Sequence, residues 1–213
     1  MQNLAQIRKE YSLNELDEKT ISASPFGQFE KWFNEAINAK VLEPNAMNLA
    51  TITANNRPSS RIVLLKGFSD GGFSFYTNYQ STKGKELEQT PFCALNFFWP
   101  ELERQVRIEG SVDRVTAGQS DEYFKTRPRD SQIGAWASPQ SSIIASRALL
   151  EERYESIKKK FNKTENINRP NQWGGYLVKP FLLEFWQGRP SRLHDRIQYT
   201  LIEGEWKVSR LAP

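Results

Sequence analysis

The sequence predicts an α+β chain, mainly β, in which an antiparallel barrel has helices packed on it. About eight short stretches rich in Val, Ile, Leu and Phe end at Gly, Pro, Asn or Asp clusters, and most follow one another through tight turns with helices in between. Size is the third observation. At 213 residues, 38% hydrophobic and 12% aromatic, the chain can fill one sizeable core, so a single domain is expected.

Ser24 as N-cap and Pro25 at the first helical position open a helix whose Phe26, Phe29, Trp32, Phe33, Ala36 and Ile37 recur at helical spacing. That face belongs in the core. Residues 48–54 and 60–68 then read as a hairpin around a turn at 55–58, and residues 69–72 turn the chain into a strand at 73–77. Ser81 opens a short helix that runs to about Gln89. Residues 92–99 and 104–115 are the next strands, the second alternating Val106, Ile108 and Val112 with Gln105, Arg107 and Glu109. Thr116 caps a helix to Lys125, and residues 127–137 read as an irregular loop containing Pro and Ser. The longest helix spans residues 142–161, with Ile143, Leu150, Tyr154, Ile157 and Phe161 on one face. Its Lys158-Lys159-Lys160 end is a solvated terminus whose charge complements the helix dipole. A polar loop at 164–172 leads into strands at 174–179, 182–187, 192–201 and 206–211.

Twenty-nine Lys and Arg against 25 acidic residues give a net charge of +4, which favours an anionic partner. RNA is opposed by the absence of an aromatic K/R-G-F/Y strand motif and of a GXXG loop. The lone Cys93 allows no intrachain disulfide, as in a reducing compartment, and the first ten residues are polar where a signal peptide is apolar, so a cytoplasmic protein is expected. No apolar run reaches the roughly 20 residues of a spanning helix, so no membrane partner is expected. One histidine, His194, and one cysteine do not furnish a zinc site, and no G-x-S-x-G elbow marks a hydrolase. Chemistry, if present, falls to a bound organic cofactor.

Three segments are rich in groups that bind anions. If residue 192 begins a strand, alternation places Arg192, His194 and Arg196 on one face and Leu193 and Ile197 on the other, as a rim paired with carboxylates or as a seat for an anionic aromatic ligand. Ser81-Thr82-Lys83-Gly84-Lys85 opens a helix with hydroxyls and lysines, either an ordinary surface cap or an anion site. Tyr123 and Arg127, four residues apart, meet on one helix face if the helix reaches that far, and Ser131 follows; a phosphate site and a frayed helix end fit equally. Several such clusters imply more than one phosphate-bearing ligand.

Longer motifs carry a family resemblance: Arg8-Lys9-Glu10-Tyr11, Arg61-Ile62-Val63-Leu64-Leu65-Lys66, Phe75-Tyr76-Thr77-Asn78, Glu103-Arg104-Gln105-Val106, residues 123–136, Glu184-Phe185-Trp186-Gln187-Gly188, Arg192-Leu193-His194-Asp195-Arg196 and Arg210-Leu211-Ala212-Pro213. From Ile7 to Pro213 the chain resembles the pyridoxine (pyridoxamine) 5′-phosphate oxidases. The resemblance implies an FMN-binding split barrel over residues 21–213, a flexible N-terminal flap within residues 1–20, and a homodimer with FMN at the subunit interface. It also implies oxidation of pyridoxine or pyridoxamine 5′-phosphate by O₂ to pyridoxal 5′-phosphate.

By the same resemblance, FMN would be held by Arg61, Ile62, Val63, Leu64, Leu65, Lys66, Tyr76, Thr77, Lys83, Gln105, Gln140, Ser141, Trp186 and Arg196, with Arg61 and Lys83 at its phosphate. Lys66, Tyr123, Arg127 and Ser131 would take the substrate phosphate. Arg192, Leu193 and His194 would lie at the pyridine ring, Arg192 and His194 as the catalytic pair, and Arg8, Lys9, Glu10 and Tyr11 would cover the site. Two positions depart from the family pattern: Lys9 stands where Arg is frequent, and Thr82 where many members carry a basic residue beside Lys83. The alternative is a non-catalytic flavin- or pyridoxal-phosphate-binding protein on the same barrel. Tyr123, Arg127, Ser131, Arg192 and His194 together favour the enzyme, because a pure carrier needs no second phosphate site.

Overall fold

Alternation of buried and less buried residues along the strands at 46–52, 92–99 and 104–114 sets two unlike faces, and burying one of them curls the sheet around α1. A computed structural model of the chain describes residues 3–6 and 9–213. Among these residues, nine strands form one antiparallel sheet: β1 (Ala46–Ile52), β2 (Pro58–Leu64), β3 (Gly67–Ser69), β4 (Gly72–Asn78), β5 (Phe92–Trp99), β6 (Arg104–Arg114), β7 (Trp173–Gln187), β8 (Asp195–Ile202) and β9 (Glu205–Leu211). Their order is β2-β1-β5-β6-β7-β4-β3, with β8 also on β7 and β9 on β8. Five α-helices accompany them: α1 (Pro25–Asn38), α2 (Thr82–Gln89), α3 (Ala117–Thr126), α4 (Arg129–Ala137) and α5 (Arg147–Lys160).

The long strand β7 organises the sheet. One of its edges runs along β6; along the other, residues 173–178 pair with β4 and residues 182–187 with β8. A bulge marks the changeover, since Glu109 opposes Leu182 while Gly110 opposes Pro180, leaving Phe181 without a partner in β6. Gly110 is required there: a Cβ would lie 2.5 Å from the Lys179 carbonyl oxygen.

The apolar stripe of α1 fills the concave side. Phe29 is fully buried, with ring centroids 4.9 Å from Phe73, 5.0 Å from Phe68 and 5.2 Å from Phe97. A second, smaller cluster of Phe124, Ile133, Ile167 and Trp173 lies under α3 and α4. On the convex side Ile62 and Phe98 stay 65% and 53% exposed. Among the described residues no helix is long and apolar enough to cross a membrane.

Five expectations change. Residues 127–137 are not a loop: Pro128 precedes α4, and the Gln132 amide donates to the carbonyls of Phe124 (3.0 Å) and Arg127 (3.1 Å), docking α4 on the end of α3. The long helix begins at Arg147 rather than at 142, because Ser146 is its N-cap and accepts from Leu149 N–H. Residues 174–187 make one strand, and residues 60–68 break at 65–66 into β2 and β3. The last change bears on the site. Pro190–Arg192 is a 3₁₀ turn in which Ser191 (φ 57°) and Arg192 (φ 61°) are left-handed, so β8 starts only at Asp195. Arg192, His194 and Arg196 therefore do not alternate along one strand.

Candidate functional site

Three groups of side chains emerge, each built where an element ends. The first joins β2, β4 and α2. Arg61, on β2, donates to Ser59 Oγ (2.6 Å), to Glu86 Oε2 (2.9 Å) and to Thr51 Oγ1. Thr51 in turn donates to Glu86 Oε2 at 2.5 Å. Ser81 caps α2 by accepting from Gly84 N–H, which brings Lys83 inward in the first turn with its Nζ 3.4 Å from Thr77 Oγ1. Thr77 donates to Gln140 Oε1 at 3.0 Å, tying the loop after α4 to the same spot. Burial lowers the Lys83 pKa, the nearby charge of Arg61 lowers it further, and Glu86 only partly opposes them. Two cations thus share one carboxylate beside a helix N-terminus, an arrangement short of one anion.

The second group is aromatic with one half-buried cation. Tyr76 of β4 stacks on Tyr123 of α3 at 3.9 Å, and both are parallel to Trp173 at the start of β7. Arg127 caps α3 and spreads its guanidinium over Trp173, 4.6 Å from the ring centroid. Its Nη1 is buried and, among the described residues, has no hydrogen-bond partner. Burial also lowers the Arg127 pKa by disfavouring the charged form, with Tyr123 partly opposing it. Tyr123 and Arg127 converge on Trp173 as the i,i+4 spacing suggests, although the helix ends at Thr126. Arg127 opens onto a cavity of about 580 Å³ and Tyr123 onto another of about 620 Å³.

The third group lies across β6, β7 and β8. Gln105, Trp186 and Arg196 stand side by side in register. Arg196 donates to Glu184 Oε1 (2.8 Å) and to the Ala212 carbonyl (2.9 Å). The His194 ring sits 4.6 Å from Trp186, and Tyr11 meets both rings edge-on. His194 Nδ1 accepts from Arg189 N–H at 3.1 Å, which fixes the neutral imidazole with its proton on Nε2. Burial lowers the His194 pKa and the Arg192 charge lowers it further, with Asp195 partly opposing them. Arg192 is exposed on the rim of a cavity of about 550 Å³ shared with Lys9, Glu10, Tyr11, Arg189, Ser191 and His194.

Comparison with known proteins gives these groups a context. The family model for pyridoxamine 5′-phosphate oxidase matches residues 33–161, and that for the pyridoxine 5′-phosphate oxidase C-terminal dimerisation region matches residues 173–213. The chain belongs to the pyridoxine/pyridoxamine 5′-phosphate oxidase family. A relative of that name from Chromobacterium violaceum is 58% identical over 99% of both chains, and one from Salinibacter ruber 53% identical over the full length of both. Among solved structures, PhzG from Burkholderia lata, in complex with tetrahydrophenazine-1-carboxylic acid, superposes with a TM-score of 0.88 at 28% identity, covering 95% of this chain and all of its own. A pyridoxamine 5′-phosphate oxidase-related, FMN-binding protein from Nostoc punctiforme shares the fold, with a TM-score of 0.71 at 17% identity over 91% of this chain and all of that one. The expected antiparallel split barrel is the fold present.

Against the oxidase family's pattern, the remaining positions fall as follows. Ile62 and Lys66 are exposed, Val63 and Leu64 half-buried, and Leu65 is in the core, with its N–H donating to Asn45 O and its C=O accepting from Asn45 Nδ2. Ser131 sits half-buried in the first turn of α4, Ser141 is exposed with φ 68°, and Leu193 is exposed. Thr82 is exposed at the first position of α2. Arg8 lies outside the described residues. Sequence reading missed Glu86, Glu184 and Trp173, which orient Arg61, Arg196 and Arg127. Trp173 carried a signal, an aromatic residue ending an Asn-rich loop; the two glutamates carried none, since the partner of Glu184 across the sheet is set by register and that of Glu86 by how α2 packs against the sheet.

Proposed function

We propose that this chain oxidises pyridoxine 5′-phosphate and pyridoxamine 5′-phosphate with O₂ to pyridoxal 5′-phosphate, releasing hydrogen peroxide and, from the amine, ammonia. The observation that carries this reading is the Nη1 of Arg127 above Trp173, buried and without a partner among the described residues, a seat for a phosphate separate from the cluster of Arg61 and Lys83. Two seats call for two phosphate-bearing ligands, one of which is the substrate. A non-catalytic flavin carrier needs only one.

The residues fit FMN as the other ligand. Arg61, Lys83 and the α2 N-terminus supply the charge for a terminal phosphate, and no G-x-G-x-x-G fingerprint for a dinucleotide is present in the sequence. Gln105, Trp186 and Arg196 offer a flat polar-aromatic surface for a ring system. Trp186 and Arg196 fall within the stretch matched by the dimerisation-region model, which supports a homodimer whose site draws on both chains. When bound, FMN supplies a two-electron acceptor that O₂ regenerates.

The protein's part is binding and orientation. Lys66, Tyr123, Arg127 and Ser131 take the substrate phosphate, and the planar donor fork of Arg192 holds the alcohol or amine end in place. His194 presents an Nε2–H from a neutral ring, a hydrogen-bond donor to the substrate's polar groups that needs no charge. The direct test is whether purified protein is yellow, releases FMN on heating as identified by mass, and consumes O₂ with pyridoxine 5′-phosphate. Recovery of FAD, or equal activity on unphosphorylated pyridoxine, overturns the reading.

Lys83 gives the cofactor site a pH signature. Its pKa is depressed in the free protein, and a bound phosphate dianion favours the ammonium, so binding is coupled to proton uptake once pH exceeds the depressed value. FMN affinity should therefore weaken as pH rises from the depressed Lys83 value toward the ordinary lysine value of about 10.4, a range in which the phosphate stays dianionic. Fluorescence titration of apoprotein with FMN checks this: Lys83→Met should bind more weakly and lose the pH slope, and an unchanged slope would remove Lys83 from the phosphate site.

A further inference from the structure

We propose that Glu103 is a positioning residue for the reaction: it ties residues 9–13 across the mouth of the His194 cavity and thereby seats Tyr11 against Trp186 and His194. The inference rests on the functional reading above and concerns a residue that touches neither ligand seat. Glu103 is 2% exposed and lies in the turn between β5 and β6. Its Oε2 accepts from the backbone N–H groups of Ser12 (2.8 Å) and Leu13 (3.1 Å), and its Oε1 pairs with Lys9 Nζ at 3.2 Å. Its own backbone carbonyl accepts from Gly188 N–H at 2.8 Å, so one residue grips both the N-terminal segment and the start of the 189–194 turn.

The seat of Tyr11 is shaped to match. A Cβ at Gly188 would lie 2.7 Å from Tyr11 Cγ and 2.8 Å from its Cβ, so only glycine admits the ring. The ring then meets Trp186 at 5.8 Å and His194 at 5.9 Å, both edge-on. Downstream, Asp195 Oδ2 accepts from Leu16 N–H at 3.1 Å, while Arg210 donates to the Leu16 carbonyl at 2.9 Å and to both Glu18 oxygens at 2.6 Å. The segment is thus fastened on both sides of Tyr11.

Two features mark the carboxylate of Glu103 as the group that matters, beside its backbone contact to Gly188. Its φ of 55° is left-handed, a conformation glycine adopts with less strain, so a side chain is kept there against preference. Burial pushes its carboxyl pKa up, yet the hydrogen bonds from Leu13 N–H, Lys9 and Ser12 N–H outweigh this and hold it below the ordinary value.

The test compares holoenzymes carrying Glu103→Gln, Glu103→Ala, Tyr11→Ala and the double variants, by steady-state kinetics with pyridoxine 5′-phosphate and by timed trypsin cleavage after Lys9. Losing the carboxylate removes charge-assisted bonds, so kcat/KM should fall about tenfold in Glu103→Ala and about threefold in Glu103→Gln, whose remaining oxygen still accepts both N–H groups. Cleavage after Lys9 should quicken in the same order, with FMN content unchanged. In the Tyr11→Ala background either Glu103 substitution should add less than about a twofold loss, because the two act as one unit. Additive losses in the double variants, or unchanged kinetics and cleavage in the single ones, overturn the proposal. If Glu103→Ala does not fold, Glu103→Gln carries the same cycle. A wild-type holoenzyme without turnover overturns the functional reading as well, whereas additivity in an active enzyme overturns the role of Glu103 alone.

Discussion

Arg127→Ala should raise KM for pyridoxine 5′-phosphate by about ten- to a hundredfold while FMN stays bound, the loss expected when a charge-assisted phosphate contact worth roughly 1.5 to 3 kcal/mol disappears. The guanidinium lies over Trp173 with one nitrogen buried and unpartnered among the described residues, so the free protein carries a desolvated donor that only a ligand satisfies. That asymmetry has a second readout. Without ligand, replacing Arg127 should leave thermal stability unchanged or raise it slightly, because a buried donor with no partner among the described residues is removed. The stabilisation that a phosphate-bearing substrate confers on the wild type should be lost. Arg127→Lys should fall between the two, since a point charge reaches the phosphate without the planar fork or the ring stacking. A variant with unchanged KM, or one that sheds FMN along with substrate affinity, would contradict the assignment.

Arg192→Ala and His194→Ala should each lower turnover on the order of a hundredfold with the flavin absorbance intact, the range for losing an orienting or proton-handling group. Arg196→Ala should instead lower FMN occupancy. The structure sharpens this contrast: Arg196 is anchored within β8 by Glu184 and the Ala212 carbonyl, whereas Arg192 and His194 belong to the turn before the strand and share a cavity with Tyr11. Stopped-flow reduction of the bound flavin separates the cases. Unchanged reduction rates in both Arg192→Ala and His194→Ala would take them out of the chemistry.

Elements written in local signals were legible. Ser24-Pro25 opened α1, the Thr116 cap opened α3, and the apolar run 92–99 became β5 residue for residue. Reading failed where distant partners decide. The segment after Pro128 is helical because Gln132 satisfies the carbonyls at the end of α3, an interaction invisible in a Ser- and Gly-containing stretch. Separate strands were expected at 174–179 and 182–187, but the bulge against Gly110 accommodates Pro180 and β7 continues through it. The alternation assumed for residues 192–196 failed at two left-handed residues, neither of them glycine, which no propensity foretells. For the site, the cations and Tyr123 were legible as clusters, while the glutamates that aim them were not. Which groups face one ligand came from family resemblance, and the geometry of one chain leaves the Arg127 and His194 groups in different cavities.

The placement of β7 makes the last fifth of the polypeptide indispensable to the rest. The match to a C-terminal region begins at Trp173, yet that residue starts the strand on which β4, β6 and β8 all depend. A fragment ending at residue 172 would leave two long strand edges bare and the aromatic core open on one side, inviting edge-to-edge aggregation. During synthesis the same holds, because β4 and β6 wait for a partner about 60 to 100 residues downstream. The barrel cannot close until β7 has been made, so a stop anywhere before β8 yields a substrate for proteases and not a smaller working protein.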